Sequence, residues 1–126
     1  MIEAFGGRMD EIRENELPYP HRAGILFGST YIVQWTNEAD AGTYINWIRR
    51  LYSYMASYAS KSPREAYYNY KDLDLGTNNI IGYTSYEQAS VWGLKYFKNN
   101  FKRLVQIKTM VDPMNFFRNE QTIPPL

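Results

Sequence analysis

The chain has 126 residues, the length of a single domain, with 44% hydrophobic and 21% charged residues, as in ordinary folded proteins. A formal net charge of +1 excludes a bulk field that attracts nucleic acid or acidic membranes, and the lack of cysteine excludes disulfides and thiol catalysis within the chain. No apolar run reaches the roughly 20 residues of a membrane span. The 12 tyrosines are a surplus typical of ligand-facing walls and half-wet interfaces.

The first third of the chain predicts an irregular or strand-like segment over residues 1–20, followed by a β-strand from Gly24 to Trp35. On the second face of this strand, Gly28 and Thr30 are small side chains that leave room for a ligand, so we interpret them as a substrate pocket. The first face is predicted to pack on the core; it carries Ile25, Phe27, Tyr31, Val33 and Trp35.

An amphipathic helix of about five to six turns is predicted next. Thr36 and Asn37 offer caps at its start, and Ser62-Pro63 ends it. Its apolar stripe is expected to pack across a sheet; the stripe consists of Ala41, Tyr44, Ile48, Leu51, Met55 and Tyr58.

The second half predicts another strand over residues 65–71, a turn at Asp72–Gly76, and then helices. Thr84-Ser85-Tyr86-Glu87 reads as a capping box that opens a helix running to about Asn99. Asn100 is expected to cap the following helix, which Asp112-Pro113 stops. This order of elements predicts an α+β fold or part of an α/β domain.

Two motifs are better explained by structure than by chemistry. Asp72-x-Asp74-x-Gly76 fails as a calcium loop because the sixth and twelfth positions hold Thr77 and Tyr83. His21 has no cysteine or serine nucleophile motif beside it, so a structural, hydrogen-bonded role is expected. No metal site is predicted.

Tyr70 stands apart because a phenol, an amide and a cation occur together in Asn69-Tyr70-Lys71. On a strand, Tyr68 and Tyr70 would point to one side and the other two residues to the opposite side. A phenol acts as a base only where positive charge or hydrogen bonds stabilise the phenolate. A buried tyrosine bonded to a neighbour is the alternative interpretation.

The sequence resembles the C-terminal region of the plant berberine bridge enzyme-like family of flavin-linked oxidases. The matching words extend over nearly the whole chain at consistent spacing. They include Phe5-Gly6-Gly7, Pro20-His21-Arg22-Ala23-Gly24, Asn46-Trp47-Ile48-Arg49, Ser60-Lys61-Ser62-Pro63-Arg64, Asn69-Tyr70-Lys71-Asp72-Leu73-Asp74, Trp92-Gly93, Tyr96-Phe97, Asn100-Phe101, Val111-Asp112-Pro113 and Asn115 to Pro125.

The resemblance implies that this is a C-terminal piece of a longer protein, with Met1 as an internal methionine or the start of a truncated gene model. Residues 1–76 would end an antiparallel-sheet substrate domain with covering helices. Residues 77–126 would form a helical segment that packs on a missing FAD domain. The longer protein would be secreted, or lie in the cell wall or vacuole.

The same resemblance implies an FAD-dependent oxidase of a plant secondary metabolite or alcohol, with dioxygen as acceptor and peroxide as product. Tyr70 would be the catalytic base, and Asn69 and Tyr68 would contact the cofactor. Relatives often carry acidic, amide or basic groups at the positions of Gly28 and Thr30, and neither residue here accepts a proton. Two alternatives therefore stay open: a non-redox cycloaddition in the same pocket, or a chain with no activity of its own.

Overall fold

The computed structural model describes all residues from 1 to 126 and confirms the predicted α+β class. A two-stranded antiparallel sheet is followed by three helices. The strands are β1 (Ile2–Ala4) and β2 (Phe27–Ser29), and the helices are α1 (Ala41–Met55), α2 (Tyr86–Phe97) and α3 (Asn100–Val111). Single 3₁₀ turns lie at Gly7–Glu11, Glu38–Asp40 and Leu73–Leu75.

The buried core lies between α2 and α3 rather than against the sheet. The two helices form a hairpin in which Gly93 of α2 directly faces the ring of Phe101 of α3. Apolar residues at helical spacing on the two facing sides exclude water, which is the dominant stabilising contribution in a small fold. The fully packed members are Ala89, Trp92, Tyr96, Phe101 and Val105.

The N-terminal caps of α2 and α3 each differ from the prediction by one residue. Two overlapping segments, Thr84–Glu87 and Ser85–Gln88, satisfy the capping-box pattern, and the structure uses the second. Ser85 Oγ accepts from the Gln88 N–H, and Gln88 Oε1 accepts from the Ser85 N–H. Thr84 is instead buried, with its hydroxyl accepting from the Asn79 N–H at 2.9 Å.

The amide of Asn100 does not cap α3. The helix begins at Asn100, and the preceding Asn99 makes no side-chain cap bond. The Asn100 side chain donates to the carbonyl oxygens of Glu14 and Leu17, at 2.7 and 3.1 Å. It therefore anchors the N-terminal segment to the helical layer, a long-range role that local sequence pattern does not encode.

The strand predicted from Gly24 to Trp35 is wrong over most of its length, because only Phe27–Ser29 pairs with another strand. The register places Glu3 opposite Gly28. With two strands alone, one face of the sheet is uncovered, and the Phe27 side chain predicted to be core is 56% exposed.

The strand predicted over residues 65–71 is also wrong, since no other strand pairs with it. The chain turns at Tyr68–Tyr70, and the Tyr70 N–H donates to the Tyr67 carbonyl oxygen at 3.0 Å. A turn abolishes the two-residue alternation of a strand, so side chains that alternation placed together are separated.

Helix α1 ends at Met55, earlier than Ser62-Pro63, because a hydrogen-bonded turn follows it and Arg64 Nη1 donates to the Ala56 carbonyl oxygen at 2.8 Å. The apolar stripe of α1 was expected to pack across a sheet, but no strand packs against this helix and no α1 residue is fully buried. Arg49 instead ties α1 to the Leu73–Leu75 turn through two 2.6 Å bonds to Asp74.

Candidate active site

Tyr70 lies on the surface turn that follows residues 64–67, and its side chain is 43% exposed. Its hydroxyl donates to Glu3 Oε1 of β1 across 3.3 Å. The negative charge of Glu3, followed by desolvation, raises the pKa of the Tyr70 phenol above its ordinary value. At neutral pH the phenol is therefore a proton donor to Glu3, and its phenolate is disfavoured.

An aromatic cluster extends from Tyr70 into the protein. Its ring meets Tyr67 edge-on with centroids 5.6 Å apart, and Tyr67 meets Tyr19 in the same way at 5.6 Å. Tyr19 in turn contacts His21 at 5.1 Å. Edge-to-face pairs of this kind fix ring orientation and stabilise each contact modestly. Asn69 Nδ2 donates to the Tyr67 hydroxyl at 2.8 Å, which holds the outer end of the cluster.

His21 has the structural, hydrogen-bonded role that was predicted. It is only 6% exposed, and its Nδ1–H donates to Glu65 Oε2 at 2.7 Å. The other Glu65 oxygen lies 2.9 Å from Lys98 Nζ, which also pairs with Glu14 at 2.6 Å. Burial acts to lower the pKa of Lys98, but the bonds to the two carboxylates outweigh it and the pKa is raised. The imidazole Nε2 is buried without a partner.

Tyr68 does not lie on the Tyr70 side, so that prediction from strand alternation is wrong. Its ring packs on Tyr96 and Phe97 of α2, with centroids 5.4 and 5.1 Å apart. Lys71 Nζ covers the outer face of the Tyr68 ring at 5.1 Å. Tyr68 is thus part of the helical layer, and its proposed contact with a cofactor stays a prediction.

Gly28 lies directly across the sheet from Glu3, on the same face. A β-carbon at this glycine would come within 3.1 Å of Phe5 Cε2, so the phenylalanine ring fills the space that the small residue leaves. Thr30 is half-buried, and its N–H donates to the Met1 carbonyl oxygen at 2.9 Å. A substrate pocket at Gly28 and Thr30 stays a prediction.

A fully buried amide supports the turn after Tyr70. Gln121 Nε2 donates to the carbonyl oxygens of Asp72 and Gly76, both at 2.8 Å. Gln121 Oε1 accepts from the Tyr96 hydroxyl, whose oxygen accepts from the Asp72 N–H, both at 3.0 Å. These bonds fix the backbone at Asp72, two residues beyond Tyr70. They also join residues on both sides of the predicted boundary between the domains 1–76 and 77–126, and that boundary stays a prediction.

Two grooves lie away from this cluster. One, of about 570 Å³, lies beside the stacked rings of Trp35 and Tyr44. The other, of about 610 Å³, runs between α3 and the C-terminal segment and is lined mainly by apolar side chains, among them Ile107, Phe116 and Phe117. Tyr70 lines neither groove. None of the three helices is long and apolar enough to cross a bilayer.

Sequence reasoning missed Glu3, Tyr19 and Tyr67 as members of the cluster. Residues 1–20 were interpreted as a strand-like or irregular segment, so the pairing of β1 with β2 that brings Glu3 to Tyr70 was not expected. A usable signal existed in Tyr67 and Tyr70, because a spacing of three places two side chains together in a turn.

Comparison with known proteins identifies the class. Residues 66–124 match the family model described as berberine and berberine like. Tetrahydroberberine oxidase of Argemone mexicana is 56% identical over 124 residues, which cover 97% of this chain and 23% of that protein. The solved structure of Phl p 4, a grass pollen allergen with glucose dehydrogenase activity, superposes with a TM-score of 0.92 at 44% identity. The superposition covers 99% of this chain and 26% of the Phl p 4 chain.

Berberine bridge enzyme in complex with (S)-reticuline has a TM-score of 0.94 at 36% identity, over 99% of this chain and 26% of that one. The neighbours are oxidoreductases of one fold. The chain belongs to the berberine bridge enzyme-like family. It spans 23% of the length of the first curated relative and 26% of the solved structures compared.

Proposed function

We propose that this chain forms the C-terminal quarter of an FAD-dependent oxidase that acts on a plant secondary metabolite or alcohol. The observation that carries the proposal is that identity of 56% to an oxidase extends over 97% of the chain, with no unmatched domain. Nearly the whole chain, including Tyr70, therefore lies within the matched region. Secretion to the cell wall or vacuole is part of the same proposal.

The residues of this chain fit the edge of a flavin rather than its whole length. The Tyr70 and Asn69 side chains are exposed beside each other, which leaves a polar edge that a flat ring can approach. The chain contains no glycine-rich phosphate loop, so the diphosphate would be held by residues outside it. Asn69 is the residue we propose for cofactor contact, because Tyr68 is packed against α2.

When bound, the flavin would supply two-electron acceptance and reaction with dioxygen, giving peroxide. The task of this chain is to hold the substrate hydroxyl near Tyr70 and to accept its proton. The exposed phenol provides the contact point, while the buried amide of Gln121 and the rings of Tyr67 and Tyr19 limit its movement. Positioned proton transfer of this kind contributes roughly 10²–10⁴-fold in rate.

The direct test extends the chain at its N-terminus by the in-frame sequence that precedes it in its transcript. We expect the purified longer protein to carry FAD and to consume dioxygen with formation of peroxide. Suitable probes are tetrahydroberberine, (S)-reticuline and glucose, the compounds in the names of the relatives. The unextended chain is the control and is expected to be inactive.

Two results would contradict the proposal. If the preceding sequence encodes no flavin-binding region, the family relationship does not extend to this activity. If the longer protein converts a probe without consuming dioxygen or any other electron acceptor, the reaction is not an oxidation.

A further inference from the structure

We propose that Glu3 is the terminal proton acceptor of this site and that Tyr70 relays the substrate proton to it. The inference rests on the proposed function and adds a residue to it. Glu3 acts through Tyr70 and does not itself contact the substrate.

The geometry brings a free carboxylate to the phenol from the opposite end of the chain. Glu3 and Tyr70 are 67 positions apart in sequence, and Oε1 of the glutamate accepts the phenol hydrogen at 3.3 Å. This distance is long for an O–H···O bond, which leaves room for the contact to shorten when substrate binds. Glu3 forms no ion pair in the structure, so no cation competes with the phenol for its carboxylate.

The Glu3 carboxylate on β1 lies opposite a position of β2 that carries no functional group. Glu3 is directly opposite Gly28, and the two share a face of the sheet. Gly28 has no side chain that could accept a proton. Here the ring of Phe5 closes against the glycine, and the acid is carried by the facing strand instead. The carboxylate on this face of the sheet therefore comes from β1 and not from the facing position of β2.

Electrostatics argue against Tyr70 acting alone. An adjacent negative charge disfavours a phenolate, and Glu3 is the largest cause that raises the Tyr70 pKa. The neighbouring cations contact other rings: the guanidinium carbon of Arg22 lies 4.9 Å from the Tyr19 ring centre, and Lys71 Nζ lies 5.1 Å from the Tyr68 ring centre. The remaining titratable groups of the cluster are Tyr67, Tyr19, His21 and Glu65. A lone phenolate at Tyr70 would therefore have a negative neighbour and no cation in contact.

A two-proton relay removes this difficulty. As the substrate O–H bond breaks, its proton forms a bond to Tyr70 Oη, and the original phenol proton passes to Glu3 Oε1. The FAD of the proposed function would supply the chemistry that balances this proton transfer, which is acceptance of the carbon-bound hydrogen with its electron pair as the alcohol becomes a carbonyl. The phenol is neutral before and after the step, and the protonated Glu3 then loses its proton to solvent.

The test uses the extended, flavin-loaded protein and its Glu3→Gln, Glu3→Asp and Glu11→Gln variants. Anaerobic flavin reduction is followed with glucose and simple alcohols as probes, because the relay requires a substrate hydroxyl. We expect Glu3→Gln to lower the limiting rate by about 10²-fold with KM changed less than about threefold. Glu3→Asp is expected to recover at least a tenth of the rate, and the exposed control Glu11→Gln to leave it unchanged. A Glu3→Gln rate within about threefold of the unmodified protein, with Tyr70→Phe slow, overturns the inference while the proposed function stands.

A second measurement on the 126-residue chain separates the two ideas. The midpoint of phenolate formation at Tyr70 is obtained from absorbance differences between each protein and its Tyr70→Phe counterpart, at micromolar concentration. We expect Glu3→Gln to lower this midpoint, because the opposing charge is removed. An unchanged midpoint overturns the pairing of Glu3 with Tyr70, even if none of the probes reduces the flavin and the proposed function itself fails.

Discussion

The ring of Phe101 fills the space beside Gly93 so closely that a β-carbon there would lie 2.3 Å from Phe101 Cε2. This contact allows α2 and α3 to approach and bury the core between them. Only a glycine fits, because both partners are fully buried and the ring cannot move into solvent.

Gly93→Ala is therefore expected to destabilise the chain by about 1–3 kcal/mol, the usual cost of overpacking a core. The matched control is Gly42→Ala in α1, where no atom lies within 4 Å of the added carbon. Alanine in an open helix position is expected to stabilise by about 0.5–1 kcal/mol. Urea unfolding compares the two, and an equal effect of both substitutions would contradict the packing described.

Tyr70→Phe is expected to lower flavin reduction in the extended protein by about 10²–10⁴-fold without loss of bound flavin, because the relay loses its hydroxyl. Tyr83→Phe is the control, since Tyr83 is also exposed and its hydroxyl makes no hydrogen bond. Stopped-flow absorbance measures the reduction. Unchanged turnover in Tyr70→Phe would remove this phenol from the mechanism.

Gln121→Leu should destabilise the chain by about 2 kcal/mol or more, because the half-buried carbonyl oxygens of Asp72 and Gly76 and the buried Tyr96 hydroxyl lose a partner together. Gln106→Leu, on the exposed side of α3, is the matched control and is expected to change stability by less than about 0.5 kcal/mol. Thermal unfolding by circular dichroism checks both. Equal melting temperatures for the two variants would show that the buried amide is not a structural centre.

Asp112 predicts a specific dependence of stability on pH. Lys108 Nζ, then the N–H groups of Phe116 and Phe117, stabilise its carboxylate, and the pKa of Asp112 is lowered, although desolvation opposes this. A lowered pKa in the folded state gives stability that is present above the unfolded pKa of about 3.9 and is lost as pH falls through the folded pKa.

We therefore expect the free energy of unfolding to decrease as the pH falls below about 4, and Asp112→Asn to make that decrease shallower. Urea midpoints at several pH values provide the measurement. Asp10→Asn, at an exposed position, is the control. A slope that is the same in Asp112→Asn and in the unmodified chain would contradict the assignment.

The chain alone is expected to associate, because large apolar side chains are exposed on two separate surfaces. One is the open sheet face with Ile2 and Phe27, and the other is the C-terminal segment with Phe116 and Phe117. Exposed apolar patches above a few hundred Å² favour association. Sedimentation at rising concentration should show oligomers and a hydrophobic dye should bind. A chain that stays monomeric and binds no dye would argue against a missing covering domain.

The helical hairpin was predictable because its information is local: the periodic apolar stripe of α2 and α3 and the capping words lie within a few residues of each other. The residue that caps α2 was not predictable, because Thr84 and Ser85 both satisfy the capping pattern and the burial of Thr84 decides between them. The strand at 65–71 failed for a related reason. Alternating aromatic residues favour a strand, but without a partner strand the segment bends into a turn.

The candidate site likewise has one part that was predictable from local sequence and another that depends on the fold. Tyr70 stood out from its immediate neighbours in sequence, whereas Glu3 could not be found because its relation to Tyr70 depends on strand pairing across 67 positions. His21 was assigned its structural role correctly, but its partner Glu65, 44 positions away, is likewise a product of the fold.

The hydrogen bonds of Gln121 have a practical meaning for the extreme end of the molecule. A premature stop codon that deleted only the last six residues would remove the amide that holds the backbone at Asp72 and Gly76, 49 and 45 positions upstream. Damage at the tail would thus be felt beside Tyr70, so gene copies shortened at their 3′ end should encode inactive proteins even with every residue of the aromatic cluster intact.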